Sequence, residues 1–388
     1  MSDRISDRKS DRMIERRTVV VTGATSGIGL AVLQDLAAKG WNCIAVGRME
    51  QHVAEAGRTV RQKTPKSTVR WLICDLASMT QVRLLGERIL GLLAEDAEEY
   101  RSMDAGGAIS FPVACEPSPF PSRLRLDALV LCAGTVRDWY QATEDGYEVQ
   151  FAVNHLSQFL LGNLLRPALS GSPAGKLVTV SSGSHFHTRM KWEDVMLRRH
   201  YGPLKAYKQS KLCNVLFAAE WNRWNASVVR AFAVDPGLVD TEIGQKGTGG
   251  LVNWFWKKRR RKGTAPEIPA ATIGYLLGES EEKLAGHLYW KDARPVKASR
   301  MARSETEAMR LWSLSAMLCP GVALDRLPII EEIEPEHPDF LQILLDSEAK
   351  QNPELKPNPD AKQDPEEKPE PKTSLHAIGH ESEAFAVR

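Results

Sequence analysis

One short stretch limits the folds open to this chain more than any other. The β-branched run "RTVVVTG" passes at Gly23 into "ATSGIG" and then into "LAVLQDLAAKG", whose apolar spacing is helical and which Gly40 stops. Glycines at this turn remove Cβ atoms where the backbone bends tightly and where a pyrophosphate must approach it. The helix N-terminus behind them offers free N–H groups to phosphates. Gly23, Thr25, Ser26, Gly27, Ile28 and Gly29 are therefore candidate dinucleotide-binding residues. A glycine triplet alone reads equally well as turn chemistry, and the strand before it and the helix after it favour the dinucleotide.

The same rhythm continues along the chain. "NCIAVGR", "STVRWLICDL", "LDALVLCAG", "GKLVTVSS" and "SVVRAFAVDPG" are short apolar runs closed by turn or cap residues, and "HLYW" near residue 288 adds a last one. Helical patterns lie between most of them, notably "EDGYEVQFAVNHLSQFLLGNLL" and "LKAYKQSKLCNVLFAAEWNRW". Near-continuous apolar strands alternating with helices imply a parallel sheet covered on both faces. The expected fold is α/β, a Rossmann-type doubly wound sheet in one domain over residues 17–325. A hydrophobic content of 43% supplies the core.

Segments that break the rhythm are expected outside that core. Residues 95–122, rich in Pro, Gly and acid, read as a surface insertion, and residues 238–264 as a loop flanking the strand ends. The arm 1–16 repeats Ser-Asp-Arg, and 330–388 is rich in Pro, Glu and Lys; neither can bury enough apolar surface to offset ordering entropy, so both are expected to be disordered. The arm has no apolar core of a secretory signal, and no stretch holds about eighteen consecutive apolar residues, so neither export nor a membrane-spanning helix is expected. Fifty-one basic against 49 acidic residues leave a net charge of +2, which argues against a global polyanion partner such as nucleic acid. The six cysteines are scattered with no metal-ligand spacing, so they read as reduced thiols and no metal site is expected.

Cofactor choice is read at the end of the second strand. An acid there would bond the ribose 2′-OH of NAD, but the chain has Gly47-Arg48, and a guanidinium pairs with the 2′-phosphate of NADP. Glu50 lies close by, and Arg48 would serve equally as a surface arginine, so NADP is favoured and NAD is the weaker alternative. Asp75 and Leu76, after the third strand, are placed to border the adenine.

"TGATSGIG", "CAG", "VNHLSQFLL", "VTVSSGSH", "AYKQSKLCNVLF" and "DPGLVDTE" follow one another in the order and context of the short-chain dehydrogenase/reductase family, which the chain resembles over residues 15–320. Its "NH-L--F-L" helix, "SS--H" strand end, "SKL-NVLF" and closing "LWS" helix are similar in particular to the retinol-dehydrogenase-like branch. The resemblance implies that Tyr207 is the general acid/base and that Lys211 tunes it and holds the nicotinamide ribose. Elementary chemistry agrees: a free tyrosine keeps its proton to about pH 10, and a cation four residues on, on the same helical face, favours the phenolate. The resemblance further implies that Ser182, the second of the serine pair, steadies the substrate oxygen and that Asn154 positions a water in a proton relay. It places Ala133 and Gly134 against the cofactor, Pro236, Gly237 and Thr241 near the carboxamide, and the loop over about 238–264 as the substrate lid. The chain departs from the family at Cys132, where an asparagine amide usually braces the sheet. A thiol cannot replace both donor and acceptor of an amide; it either packs inertly or makes the site redox-sensitive, and the inert reading is favoured.

Trp139, Tyr140 and Phe186 at strand ends predict a cleft for a hydrophobic alcohol, aldehyde or ketone of retinoid, steroid or other lipid-like kind. His185 and His187, just past Ser182, read as loop structure or pocket wall. Trp254–Lys262 sets aromatic rings beside a basic run; the plainer reading puts the rings in the substrate cleft and the charges in solvent, the next is peripheral membrane contact, and a third is a nuclear-localisation or nucleic-acid patch. The expectation is an NADP(H)-dependent oxidoreductase in the cytoplasm, placed by that loop at the cytosolic face of the endoplasmic reticulum or of lipid droplets. The alternative is a non-catalytic NADP-binding protein with a regulatory or scaffold role.

Overall fold

The computed structural model describes residues 16–104, 124–239 and 263–320. The apolar runs pair as β1 (Thr18–Thr22), β2 (Asn42–Gly47), β3 (Val69–Ile73), β4 (Ala128–Leu131), β5 (Gly175–Val180) and β6 (Val229–Val234). The "HLYW" segment supplies β7 (Tyr289–Lys291), which turns back antiparallel into β8 (Arg294–Pro295). The strand order is β3-β2-β1-β4-β5-β6-β7-β8, parallel except for that last pair. Strand order reverses between β1 and β4, so a crevice opens there beyond the carboxyl ends of the strands.

Helices cover both faces. On one lie α1 (Gly27–Ala38) and a later helix (Glu267–Gly278), packed on Val19, Val21, Val130, Val178 and Phe232. On the other lie α3 (Met79–Asp104), the long helix α4 (Val149–Ser170), α5 (Pro203–Asn225) and the closing helix Glu305–Leu318, over Val20, Leu129, Leu177 and Ala231. Successive strand residues point to opposite faces, which is why Val19 and Val21 enter one core and Val20 the other. Helix α2 (Glu50–Lys63) connects β2 to β3.

Helix α4 begins at Val149, so the "EDGY" preceding it is not helical as its pattern suggested. Glu148 instead caps the helix, its two carboxylate oxygens accepting from Gln150 N and Phe151 N at 3.0 and 2.8 Å. The helix runs Val149–Phe151, passes through one π-turn at Ala152–Leu156 and continues as Ser157–Ser170. The closing helix lies across α4 and α5: Trp312 stacks on Phe217 with ring centroids 5.9 Å apart and meets Phe159 edge-on at 5.0 Å. His155 Nε2 and the Ser315 hydroxyl are 2.7 Å apart, and the Tyr147 hydroxyl donates to the Leu318 carbonyl at 2.9 Å. Helix α3 extends to Asp104, into the segment read as an insertion. Thr241, the Trp254–Lys262 run, the arm 1–15 and the tail from 321 lie outside the described residues. Among the described residues no helix is long and apolar enough to cross a membrane, and no group of side chains is arranged to hold a metal ion.

Candidate active site

The crevice is a cavity of about 230 Å³. Its walls include Gly23, Thr25, Ser26, Gly27, Ile28 and Gly29 from the first turn, Arg48 after β2, Asp75 and Leu76 after β3, and Cys132, Ala133 and Gly134 after β4. Two glycines here are dictated by close approach. A Cβ on Gly23, which has φ +65°, would lie 2.8 Å from the Ala133 Cα, and one on Gly29 would collide with the Gly23 carbonyl. Ser26 stands at the N-cap of α1, but its hydroxyl makes no capping bond, so the Ser26 side chain does not occupy the first-turn N–H groups at the cavity wall. A bare backbone turn, a helix N-terminus and an arginine around one cavity fit a nicotinamide dinucleotide.

Beyond the cavity, α5 carries Tyr207 and Lys211 on consecutive turns, both buried. Lys211 Nζ lies 5.7 Å from the Tyr207 ring centroid and donates to the Val180 carbonyl at the end of β5, at 2.8 Å. Burial lowers the ammonium to about 8, so it is charged at neutral pH. The Ser181 hydroxyl donates to the Lys211 carbonyl at 2.7 Å, which fastens the end of β5 to this helix. Ser182, the next residue, accepts from Ser184 N at 3.2 Å and opens the short turn Gly183–His187.

Asn154 sits in the π-turn of α4, fully buried. Its Nδ2 donates to the Ser210 hydroxyl at 2.9 Å and to the Thr135 carbonyl at 3.0 Å, and its Oδ1 accepts from Thr135 N at 2.7 Å. Ser210 in turn donates to the Tyr207 carbonyl at 2.9 Å. Asn154 is thus built as a brace between α4, α5 and the loop after β4.

Several groups around the site make contacts that no local sequence pattern announces. The Gln158 amide donates to the Ala133 carbonyl at 3.2 Å and accepts from the Thr179 hydroxyl at 2.5 Å, so a glutamine from α4 ties the loop after β4 to β5. That brace sits beside Cys132, a half-buried thiol in the cavity wall, which desolvation pushes up to about 12 against the pull of the Lys211 ammonium. Asp235, after β6, accepts through Oδ1 from Gly183 N at 3.0 Å and from Gly237 N at 2.9 Å, and so joins the Ser182 turn to the Pro236-Gly237 turn. His185 is buried: Ser299 N donates to its Nε2 at 3.1 Å, so the proton is on Nδ1, which donates to the Ser182 carbonyl at 2.7 Å. Trp139 and Phe186 are exposed at the strand ends. The signal that could have found Asp235 was its position, one residue before a Pro-Gly turn at a strand end.

The family model for "short chain dehydrogenase" matches residues 17–94. Human retinol dehydrogenase 13 is 31% identical, covering 82% of this chain and 90% of that protein. Human polyprenol dehydrogenase is 30% identical over 77% of this chain and 84% of its own length. Among solved structures, an uncharacterized protein from Mycobacterium paratuberculosis superposes with a TM-score of 0.56 at 28% identity, over 78% of this chain and 93% of that one.

Proposed function

The chain belongs to the short-chain dehydrogenase family, in its retinol-dehydrogenase-like branch, and on that footing we propose that it interconverts a hydrophobic alcohol and its aldehyde or ketone using NADP(H). Oxidoreduction of an alcohol or carbonyl follows from the family; the cofactor, the substrate class and the residue roles are our reading. The observation that carries it is the pairing on α5: a buried ammonium held 5.7 Å from the ring of a buried tyrosine, at the carboxyl end of the sheet.

The residues that would hold the cofactor are the first-turn backbone from Gly23 to Gly29, Arg48, Asp75, Leu76, the Cys132–Gly134 loop and the Pro236-Gly237 turn. When bound, the nicotinamide supplies or receives a hydride at C4. Tyr207 gives its phenol proton to the carbonyl oxygen in reduction and takes the alcohol proton in oxidation. The Lys211 ammonium stabilises the phenolate left behind, since a nearby cation favours the charged form of a tyrosine. Ser182 donates a hydrogen bond to the substrate oxygen as negative charge develops on it. Asn154 fixes the stretch of α5 between Tyr207 and Lys211 through Ser210, and the resemblance assigns it the relay water. Polyprenol and retinol, the alcohols in the relatives' names, are both long and apolar, which supports a lipid-like substrate. Exposed Trp139 and Phe186 at the strand ends suit the same chemistry.

The test is consumption of NADPH and of NADH by the purified protein with a panel of hydrophobic aldehydes and ketones, beside Tyr207→Phe. Turnover with NADPH that falls at least about 100-fold in the variant is expected, the usual scale of a lost general acid. Cofactor binding with no turnover on any substrate would favour a binding protein, and equal turnover by Tyr207→Phe would remove the tyrosine from the chemistry.

A further inference from the structure

Arg137 carries no mark in the sequence, yet it lines the same cavity as Arg48. The loop that bears it is unusually constrained. Asn154 grips Thr135 from both sides, and Arg137 Nη1 donates to the Thr135 hydroxyl at 2.8 Å and to the Val136 carbonyl at 3.1 Å. The Tyr201 hydroxyl donates to the Arg137 carbonyl at 2.9 Å and itself accepts from Gln150 Nε2 at 2.7 Å. A side chain tied at its backbone and at one guanidinium nitrogen has little freedom left to lose when a ligand arrives.

Two guanidiniums sharing one cavity repel each other. Burial lowers the pKa of Arg137, the Arg48 charge lowers it further, and Tyr201 and Asp75 pull the other way. Asp75, the acid in the cavity wall, is partly engaged by its own loop, Oδ1 accepting from Ala77 N at 3.0 Å. An anion held between the two guanidiniums would be attracted by both. The forked geometry of arginine suits the oxygens of a phosphate. Arg48 fixes which phosphate: it follows β2, where the adenosine ribose lies in a crevice of this topology.

We propose that Arg137 is a second phosphate-binding arginine of the cofactor cavity, closing with Arg48 on the 2′-phosphate that distinguishes NADP from NAD. This assignment rests on the dinucleotide reading of the cavity given above. It makes cofactor preference the property of two loops, one after β2 and one after β4, and links the second of them through Thr135 and Asn154 to the helix that carries Tyr207.

The experiment is a fluorescence titration, without carbonyl substrate, of NADPH, NADH and adenosine 2′,5′-bisphosphate into the full chain and its Arg137→Gln and Arg137→Lys variants. Arg137→Gln is expected to weaken NADPH and the bisphosphate by about tenfold or more, as for a lost charge-assisted bond, and to leave NADH within about twofold. Arg137→Lys, which keeps the charge and loses the fork, falls between. Unchanged NADPH affinity in Arg137→Gln overturns the proposal. Equal weakening of NADPH and NADH also overturns it, since the guanidinium would then serve the pyrophosphate or the fold. A wild-type protein that binds neither dinucleotide overturns the cofactor reading itself, a failure visible before any variant is made.

Discussion

Lys211 shows how far one residue's contribution to chemistry and to stability can diverge. It is 2% exposed, and removing an ammonium from water is costly even though the Val180 carbonyl accepts from it. Its pKa in the folded protein, about 8 against an ordinary 10.5, measures that penalty. The unfolded lysine holds its proton more tightly than the folded one, so the penalty is present in full below about pH 8. It is relieved as pH rises towards 10.5, where the unfolded chain loses the proton too. Lys211→Met removes the charge and leaves the Val180 carbonyl paired, because Asn214 Nδ2 also donates to it at 3.1 Å. The variant is expected to be more stable than the wild type at pH 7 by about 1–3 kcal/mol, with the gap closing by about pH 10.5, while turnover drops by about 100-fold or more. Urea unfolding at both pH values checks the sign; a less stable variant at pH 7 would mean that the ammonium stabilises the fold outright.

Between residues and the whole, the working unit is a pair of turns held by one carboxylate. β5 and β6 are neighbours in register, Val180 opposite Val234, so the turns that follow them emerge side by side. Asp235 fastens them together, and Gly183 lies close against it: a Cβ there would stand 3.1 Å from Oδ2, so the carboxylate would have to give by a few tenths of an ångström. Both N–H bonds run to the same oxygen, an arrangement that an amide oxygen reproduces. Asp235→Asn is therefore expected to keep kcat/KM within about fivefold, whereas Asp235→Ala lowers it by about 10–100-fold as the Ser182 turn loses its position. If steady-state kinetics find asparagine as damaged as alanine, the carboxylate acts through its charge. Spacing and strand context made Gly23–Gly29, Tyr207 and Lys211 visible in the sequence, because those features repeat at helical or turn periods. Asp235, Gln158, His185 and Arg137 were not visible as a framework, since each acts by meeting a backbone group or charge from a distant element and no local pattern records such a meeting.

At the scale of the molecule, the sheet and its two cores were legible for the same reason that the cofactor turn was: apolar runs closed by turn residues announce buried parallel strands. The "HLYW" run gave the last parallel strand, but the two-residue β8 carries no pattern of its own. The closing helix was recognisable as an element, while its seat was not. It lies on α4 and α5 through Trp312, which is 6% exposed among Phe159, Phe217 and Trp221. Trp312→Ala is expected to destabilise the protein by about 3–5 kcal/mol, read as a lower urea midpoint with an unchanged slope, because the cavity it leaves is walled by rigid aromatics. That seat also has a history each time the chain is made. Tyr147 and Leu318, which bond across it, are 171 residues apart in sequence. At translation rates of about 5–20 residues per second, the two leave the ribosome roughly ten to thirty seconds apart. For the part of that delay that follows the emergence of Phe217 and Trp221, the helix bearing Tyr207 lacks the cover of Trp312, which makes the nascent protein a candidate client for a chaperone that reads exposed aromatics.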